Sequence, residues 1–382
     1  MKLPRPLPLV LVLLCLSGAA AWRPAAAAAG SVAPGSAPET APGDGKAGSP
    51  GGVFAGLLTL KSPAPPSIVV SPLPGWPKWV GRENHQISGL AWRDGRLYAI
   101  SDQNGVLPRS ILEIVLTGVD AIGGVRSAEA PRAAERRVLD VKPVCRWEGG
   151  PHPDAEGLTI DPFFGPPRAF IMNLESGADC VLEVGAADCA LRGSYGPLTG
   201  QTSNEGTEGI ALSPDGKTLY LVHETERTLL TLPRGAAGPA RVVARIPGAA
   251  SLCDIAYDDR GTAQTDDDRL LLLDRNDPQI ILVTLTGQVT GIWRLDRDAL
   301  GTDPEGAPYS IVSLEGLAIE SRGADGSLIV YAATDTPPRP FPYHRRGKKD
   351  TDGMYERRVG MLYRFRLPPV ENASAPTPGG PP

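Results

Sequence analysis

Apolar residues fall into short paired runs along this chain, and the pairs repeat. The first run of each pair is a five-residue phrase. It reads Ile87-Ser88-Gly89-Leu90-Ala91, Ala155-Glu156-Gly157-Leu158-Thr159 and Thr207-Glu208-Gly209-Ile210-Ala211, then Leu252-Cys253-Asp254-Ile255-Ala256 and Leu314-Glu315-Gly316-Leu317-Ala318. The second run follows some ten residues later and ends on a polar or charged residue, as in Leu97 to Asp102, Leu219 to Glu224, Leu270 to Arg275 and Val330 to Asp335. Asp94-Gly95, Asp215-Gly216 and Asp325-Gly326 separate three of these pairs and mark tight hairpin turns. Hairpins recurring every forty to seventy residues predict an all-β fold, a β-propeller. The glycine-bearing phrase suits the innermost strand of each blade, where backbones approach closely. The second run, rich in Leu, Ile, Val and Tyr, suits the next strand outward. Further strands are expected at Ser110 to Leu116, Arg136 to Val141, Ile280 to Leu285 and Gly287 to Leu295. Five phrases are evident, and Leu57 to Ser71 with Met361 to Leu367 supply material for a further blade closed by both chain ends. Six blades are therefore expected, with five as the competing count.

Composition bounds the domain. Lys2 and Arg5, the apolar run Leu7 to Leu16 and Ala19-Ala20-Ala21 have the form of an export signal over 1–21. The run is too short for a membrane span. Residues 22–52 are dominated by Ala, Pro, Gly and Ser and read as a disordered linker, as do residues 371–382. The propeller is assigned to 53–370, and the protein is expected to be exported, to the periplasm or beyond, as a monomer. The formal charge of −5, about −7 once the signal is lost, argues against nucleic acid or anionic membrane as partner. Four cysteines remain after Cys15 goes with the signal. Export permits a disulfide; Cys180 with Cys189 is the preferred pair, with Cys145 and Cys253 as buried thiols.

The repeat also says which side chains meet. Ser88, Glu156, Glu208, Cys253 and Glu315 occupy one equivalent position, and Asp254 stands where the other phrases have glycine. Asp102, Glu224, Arg275 and Asp335 end the second runs, with Asn173 and Glu175 their counterparts in the second blade. Carboxylates converging on one channel mouth cannot all ionise without compensation. Calcium suits such oxygen ligands, which makes Glu156, Glu208, Glu315, Asp102, Glu224 and Asp335 the candidate metal set. Arg275 and Arg109 are internal alternatives to a metal and candidate substrate-binding residues. Glutamates in these places can equally hold inner strands in register by accepting backbone hydrogen bonds.

These phrases, with Asn204 to Glu224 the strongest stretch, resemble the phytase-like propellers, also called the esterase-like-activity-of-phytase family, and share wording with SdiA-regulated proteins. The resemblance covers most of the chain after the linker. It implies an exported propeller, calcium binding and hydrolysis of a small phosphorylated or ester ligand. The Cys253-Asp254 phrase departs from the family pattern.

Other hydrolase signatures are missing: there is no Gly-x-Ser-x-Gly elbow and no His-Glu-x-x-His motif. His152 and His223 fall near the expected mouth and are the candidate acid–base residues. Pro337 to Arg358 interrupts the last blade with a basic stretch, whose Arg345 and Arg346 are candidate phosphate-binding residues. Two functions remain open on sequence: a calcium-dependent phosphoester or ester hydrolase, and a non-catalytic propeller that binds a ligand or protein partner.

Overall fold

The computed structural model describes residues 67–68, 87–101, 107–117, 138–150, 154–175, 179–200, 206–262, 265–295, 314–334, 344–345, 348–349 and 362–370. A two-residue strand, β1 (Ser67–Ile68), comes first. The first blade follows as β2 (Ile87–Arg93), β3 (Arg96–Ser101), β4 (Ser110–Leu116) and β5 (Val138–Arg146). The second is β6 (Ala155–Asp161), β7 (Ala169–Leu174), β8 (Cys180–Gly185) and β9 (Leu191–Tyr195). The third is β10 (Thr207–Leu212), β11 (Thr218–His223), β12 (Thr228–Pro233) and β13 (Arg241–Arg245). The fourth is β14 (Leu252–Asp258), β15 (Arg269–Asp274), β16 (Gln279–Thr284) and β17 (Val289–Leu295). In the fifth, β18 (Leu314–Arg322) and β19 (Leu328–Thr334) are joined by β22 (Leu362–Leu367), after a two-stranded ribbon of β20 (His344–Arg345) and β21 (Lys348–Lys349). Neighbouring strands within each blade run antiparallel.

Five blades are thus present among the described residues, the competing count, and the expectation of six is corrected. The described residues of the two segments reserved for a sixth, 67–68 and 362–367, go elsewhere. β1 adds in parallel to the outer edge of β17, and β22 pairs with β19 inside the fifth blade. The ring closes without them. β2, β6, β10, β14 and β18 neighbour one another in that order, and β18 returns to β2.

Burial follows the distance from the axis. β10 is buried throughout, whereas β9 and β13 are largely exposed. The core is divided into clusters that each straddle two blades. Ala91, Tyr98 and Ile100 of the first blade pack with Leu158, Phe170 and Met172 of the second. Leu97, Ala99 and Leu112 of the first pack with Ala318, Tyr331 and Ala333 of the fifth, which seals the ring. A blade has two apolar faces, so its side chains are fully buried only between two neighbours.

The hairpin turns are those expected from sequence. Asp94 and Gly95 adopt φ values of 49° and 76°, the left-handed pair that a two-residue turn between twisted strands requires. The disulfide, however, joins Cys145 to Cys189, with Cα atoms 5.4 Å apart. The Cys180–Cys189 preference and the free Cys145 are both corrected. Cys180 is 7% exposed in the core between the first two blades, where the Ser194 hydroxyl donates to its sulfur at 3.5 Å. Cys189, in the turn after β8, faces β5 of the neighbouring blade instead. Cys253 is buried and free, as expected.

Candidate functional site

Each inner strand carries a β-bulge at the same place. The register with the second strand slips at Ser88–Gly89, Glu156, Glu208, Cys253 and Glu315. A bulge re-aims the side chain of its extra residue, and here it does so at the repeat position that carries the glutamates.

The glycine after the bulge explains how tightly the ring closes. A Cβ on Gly89 would stand 2.7 Å from the Glu156 carbonyl oxygen and the Leu158 nitrogen, and one on Gly157 would stand 2.6 Å from the Ile210 nitrogen. Asp254 breaks the glycine series and uses the space differently. It is fully buried, and its carboxyl accepts from the Ile255 amide at 2.8 Å and the Leu317 amide at 2.5 Å. It also accepts from the Leu90 amide of the first blade, which is not adjacent to the fourth. Its side chain therefore reaches across the axis and closes it. Burial pushes this carboxyl well above the usual carboxylate range, against the three amide donors.

Above that closure, the residues one step past the second strands form another equivalent set: Glu175, Glu224 and Arg275. Their amides make matching bonds, to the carbonyls of Asp154, Gly206 and Ser251 respectively, each at 2.9 Å. Glu175, rather than Asn173, is thus the second blade's counterpart of Glu224. Asn173 has a backbone task, accepting from the Gly157 amide at 3.0 Å and donating to the Thr207 carbonyl of the next blade at 2.5 Å.

The resulting mouth divides into two halves. In one, the Arg275 guanidinium lies between Glu224 and Glu315. Nη1 donates to Glu315 at 2.6 Å, Nη2 donates to Glu224, and Ser251 Oγ donates to the same Glu224 oxygen. Burial opposes the Arg275 charge, but Glu315, Glu208 and Glu156 outweigh it and hold the guanidinium above its ordinary value. One guanidinium thus offsets part of the charge of two carboxylates.

The other half holds three more carboxylates, on two of which, Glu156 and Glu175, Arg275 acts by charge alone. One carboxylate oxygen from each of Asp154, Glu156 and Glu175 lies within 4.8 Å of the others. Asp154 and Glu175 are buried, and Glu156 is partly so. Two like charges at that range repel by roughly 3–4 kcal/mol at an effective dielectric of about 20, which is too much to leave uncompensated. Glu175 accepts from the Gly206 amide at 2.6 Å and is hydrogen-bonded to Glu208, so this carboxyl pair shares a proton. Burial raises Glu175, and it raises Glu208 well above the carboxylate range, with the Glu156, Glu175 and Glu315 charges adding to the effect. Asp154, Glu156 and Glu175 thus offer oxygen atoms only, on bulged or strand-end backbone, to a hard divalent cation.

The structure therefore brings together Glu156, Glu208, Glu315, Glu224 and Arg275 from the sequence-derived set. It assigns Glu224 and Glu315 to Arg275 and adds Asp154 and Glu175 to the open half. Asp154 sat in view beside Glu156 in the Asp-Ala-Glu-Gly phrase; its signal was adjacency alone. His223 pairs with Thr207 across the β10–β11 ladder, and its Nδ1 accepts from the Glu226 amide at 3.4 Å. Burial lowers its pKa, countered by the charges of Glu226 and Asp179. Arg109 donates to the Gly149 carbonyl at 2.7 Å from the turn before β4. Asp102, His152, Asp335 and Arg346 lie outside the described residues, as does the side chain of Arg345.

Among solved structures the chain is similar to an auxiliary nutrient binding protein of Bacteroides thetaiotaomicron, at 10% identity and a TM-score of 0.40. That match covers 73% of this chain and 59% of the other. It is similar also to hydrazine synthase of Kuenenia stuttgartiensis (13%, TM-score 0.37, covering 76% and 68%). A third similarity is to regucalcin, a calcium-binding protein of Agrobacterium tumefaciens (12%, TM-score 0.35, covering 80% and 97%). No curated protein matches the chain. The family model described as "Phytase-like: Esterase-like activity of phytase" matches residues 83–337, a span that holds all five inner strands and the whole acidic mouth. The chain belongs to the phytase-like, esterase-like-activity-of-phytase family.

Proposed function

We propose that this chain is an exported hydrolase that uses a divalent cation, calcium by its chemistry, to act on a small phosphoester or carboxylic ester at the acidic mouth. The observation that carries this reading is the convergence of carboxylates at the mouth. Arg275 bridges Glu224 and Glu315, while one oxygen from each of Asp154, Glu156 and Glu175 lies within 4.8 Å of the others. An all-oxygen set of that charge fits calcium better than zinc or copper. A bound cation supplies Lewis-acid polarisation of an ester or phosphoryl oxygen. The protein's own part is positioning. The bulges fix Glu156 and Glu208 against the axis, the Gly206 amide orients Glu175, and the Glu175–Glu208 pair holds a proton beside the reacting group. Export is supported by the Cys145–Cys189 bridge, which an oxidising compartment permits.

A second reading, a propeller that binds its ligand without turning it over, is favoured by a different observation. Arg275 is committed to two carboxylates, and His223 is turned to the Glu226 amide.

The test is metal analysis of the purified protein, followed by assay on a panel of phosphoesters and carboxylic esters with and without chelator. Bound calcium with chelator-sensitive turnover that falls in Glu156→Gln supports the hydrolase. Calcium without turnover supports the binding reading. Absence of any stoichiometric divalent ion overturns both cation-based readings.

A further inference from the structure

The five inner strands also end together, and there the fold leaves a second cavity of about 370 Å³, to which all five blades contribute. Asp254, bonded to the Leu317 and Leu90 amides, lies between this end and the acidic mouth. The cavity walls mix apolar residues such as Ile160, Ile210 and Leu317 with charged ones, among them Asp94, Asp259 and Arg322. Aromatic rings line one side. Phe163 stands 5.0 Å from Phe164 and 5.7 Å from Tyr257, centroid to centroid. Phe164 is 64% exposed, a large apolar ring left on the lip.

Two arginines line this space: Arg322, paired with Asp258, and Arg93. Arg93 is only 9% exposed, its Nη2 donates to the Ile160 carbonyl at 3.3 Å, and its guanidinium carbon lies 5.0 Å from the Phe163 ring centre. Its Nε is buried without a hydrogen-bond partner. Three of the acids around it are paired with other arginines. Asp258 is paired with Arg322, Glu320 with Arg364 at 2.6 Å, and Asp161 with Arg234 at 3.2 Å. Burial lowers the Arg93 pKa to about 10, against the charges of Asp161, Asp259 and Asp94. These carboxylates act on the buried guanidinium by charge, while its hydrogen bond goes to a carbonyl and its face to a ring, which leaves room for a directly bonded anion.

We propose that this cavity is a second ligand site, taking a small organic carboxylate with a flat apolar body: the carboxylate against Arg93, the ring on Phe163 and Phe164. The volume is that of a small-molecule site. A carboxylate forms two parallel bonds with a guanidinium and completes its donor set. A monoanion is preferred to a phosphate dianion because Asp94 and Asp259 line the same cavity. An amine is disfavoured by Arg93 itself. Nothing in this proposal depends on a cation at the acidic mouth.

Phenylacetate is the probe, titrated into the full chain by calorimetry, with phenethylamine and phenyl phosphate as charge controls. Saturable binding of phenylacetate, weaker binding of phenyl phosphate and none of the amine are expected. Arg93→Gln should weaken phenylacetate at least tenfold, about 1.4 kcal/mol, and chelator should change nothing. Phe164→Ala removes an exposed ring, leaves the fold intact and should weaken binding severalfold, so the proposal stays testable even where Arg93→Gln folds poorly. Unsaturable phenylacetate binding overturns the site, as does equal binding by the wild type and both variants. Tighter binding of the amine or of phenyl phosphate overturns the assigned chemistry.

Discussion

At the scale of single residues, the acidic mouth shows how one arginine changes the meaning of its neighbours. Glu224 and Glu315 are buried carboxylates that Arg275 makes affordable. Removing it leaves both uncompensated, so Arg275→Met should destabilise the fold by about 3 kcal/mol, the low end for breaking a buried pair. The low end applies because the guanidinium side chain keeps 23% of its exposure. Urea unfolding measures this, and a change under about 1 kcal/mol would place the pair among solvent-screened surface bridges. His223 gives a pH prediction of definite sign. Its folded pKa lies below the ordinary 6.5 because it is buried, so as pH falls the unfolded chain takes up the proton first. The stability it contributes is complete above 6.5 and is lost as pH falls from there through the lower folded value. Glu175 and Glu208, raised in the folded state, act with the opposite slope. Comparing wild type with His223→Gln at each pH isolates the histidine: the variant should lose less stability between neutral and mildly acidic pH. Equal slopes in the two proteins would show that the histidine titrates alike folded and unfolded.

At the scale of the element, the inner strand is a bulge followed by a glycine, and the two tasks are separable. The bulge aims a side chain at the mouth; the glycine lets the next blade's backbone come close. Gly157→Ala should cost about 1–3 kcal/mol, the range for overpacking, because the new Cβ would meet the Ile210 nitrogen at 2.6 Å. That contact is with backbone, which a rotamer change cannot relieve. A variant as stable as wild type in denaturant titration would mean that the inner strands slide apart freely. This element was legible in the sequence because each blade must solve the same crowding problem with the same few residue types. The alignment of Glu156, Glu208 and Glu315 followed from that repetition. The bulge was not legible, since the phrase looks the same whether one residue or two faces the partner strand. Nor was the split of the mouth, because Arg275 differs from Glu224 only in charge and nothing in spacing says which acids it will reach. Arg93 and Phe163 carried no signal at all. They meet at the far mouth only because the first two inner strands end side by side.

At the scale of the molecule, what sequence could not supply was closure. Apolar runs at both chain ends read as halves of a sixth blade, but a short segment can also add to an exposed edge. β1 takes the free edge of β17, and β22 completes the fifth blade, so the contact of β18 with β2 rests on packing and hydrogen bonds alone. The covalent tie lies one interface further on, where Cys145 of β5 in the first blade meets Cys189 of the second across 44 residues of sequence. Spacing favoured Cys180 for that partner, yet only the twist of neighbouring blades decides which sulfurs face each other. Closing a loop of this length removes roughly 4 kcal/mol of unfolded-state freedom in the chain-entropy model. Cys189→Ser, or reduction of the wild type, should therefore lower unfolding free energy by about 2–4 kcal/mol. On the proposed cation reading, the loss should leave metal retention unchanged, because Cys189 sits in the outer turn of the second blade while Asp154, Glu156 and Glu175 are anchored on its inner two strands. Parallel urea titrations and metal analysis of oxidised, reduced and variant protein check both halves. Loss of the cation together with the bridge would show that the first blade, through this link, is what holds the second blade's carboxylates in place.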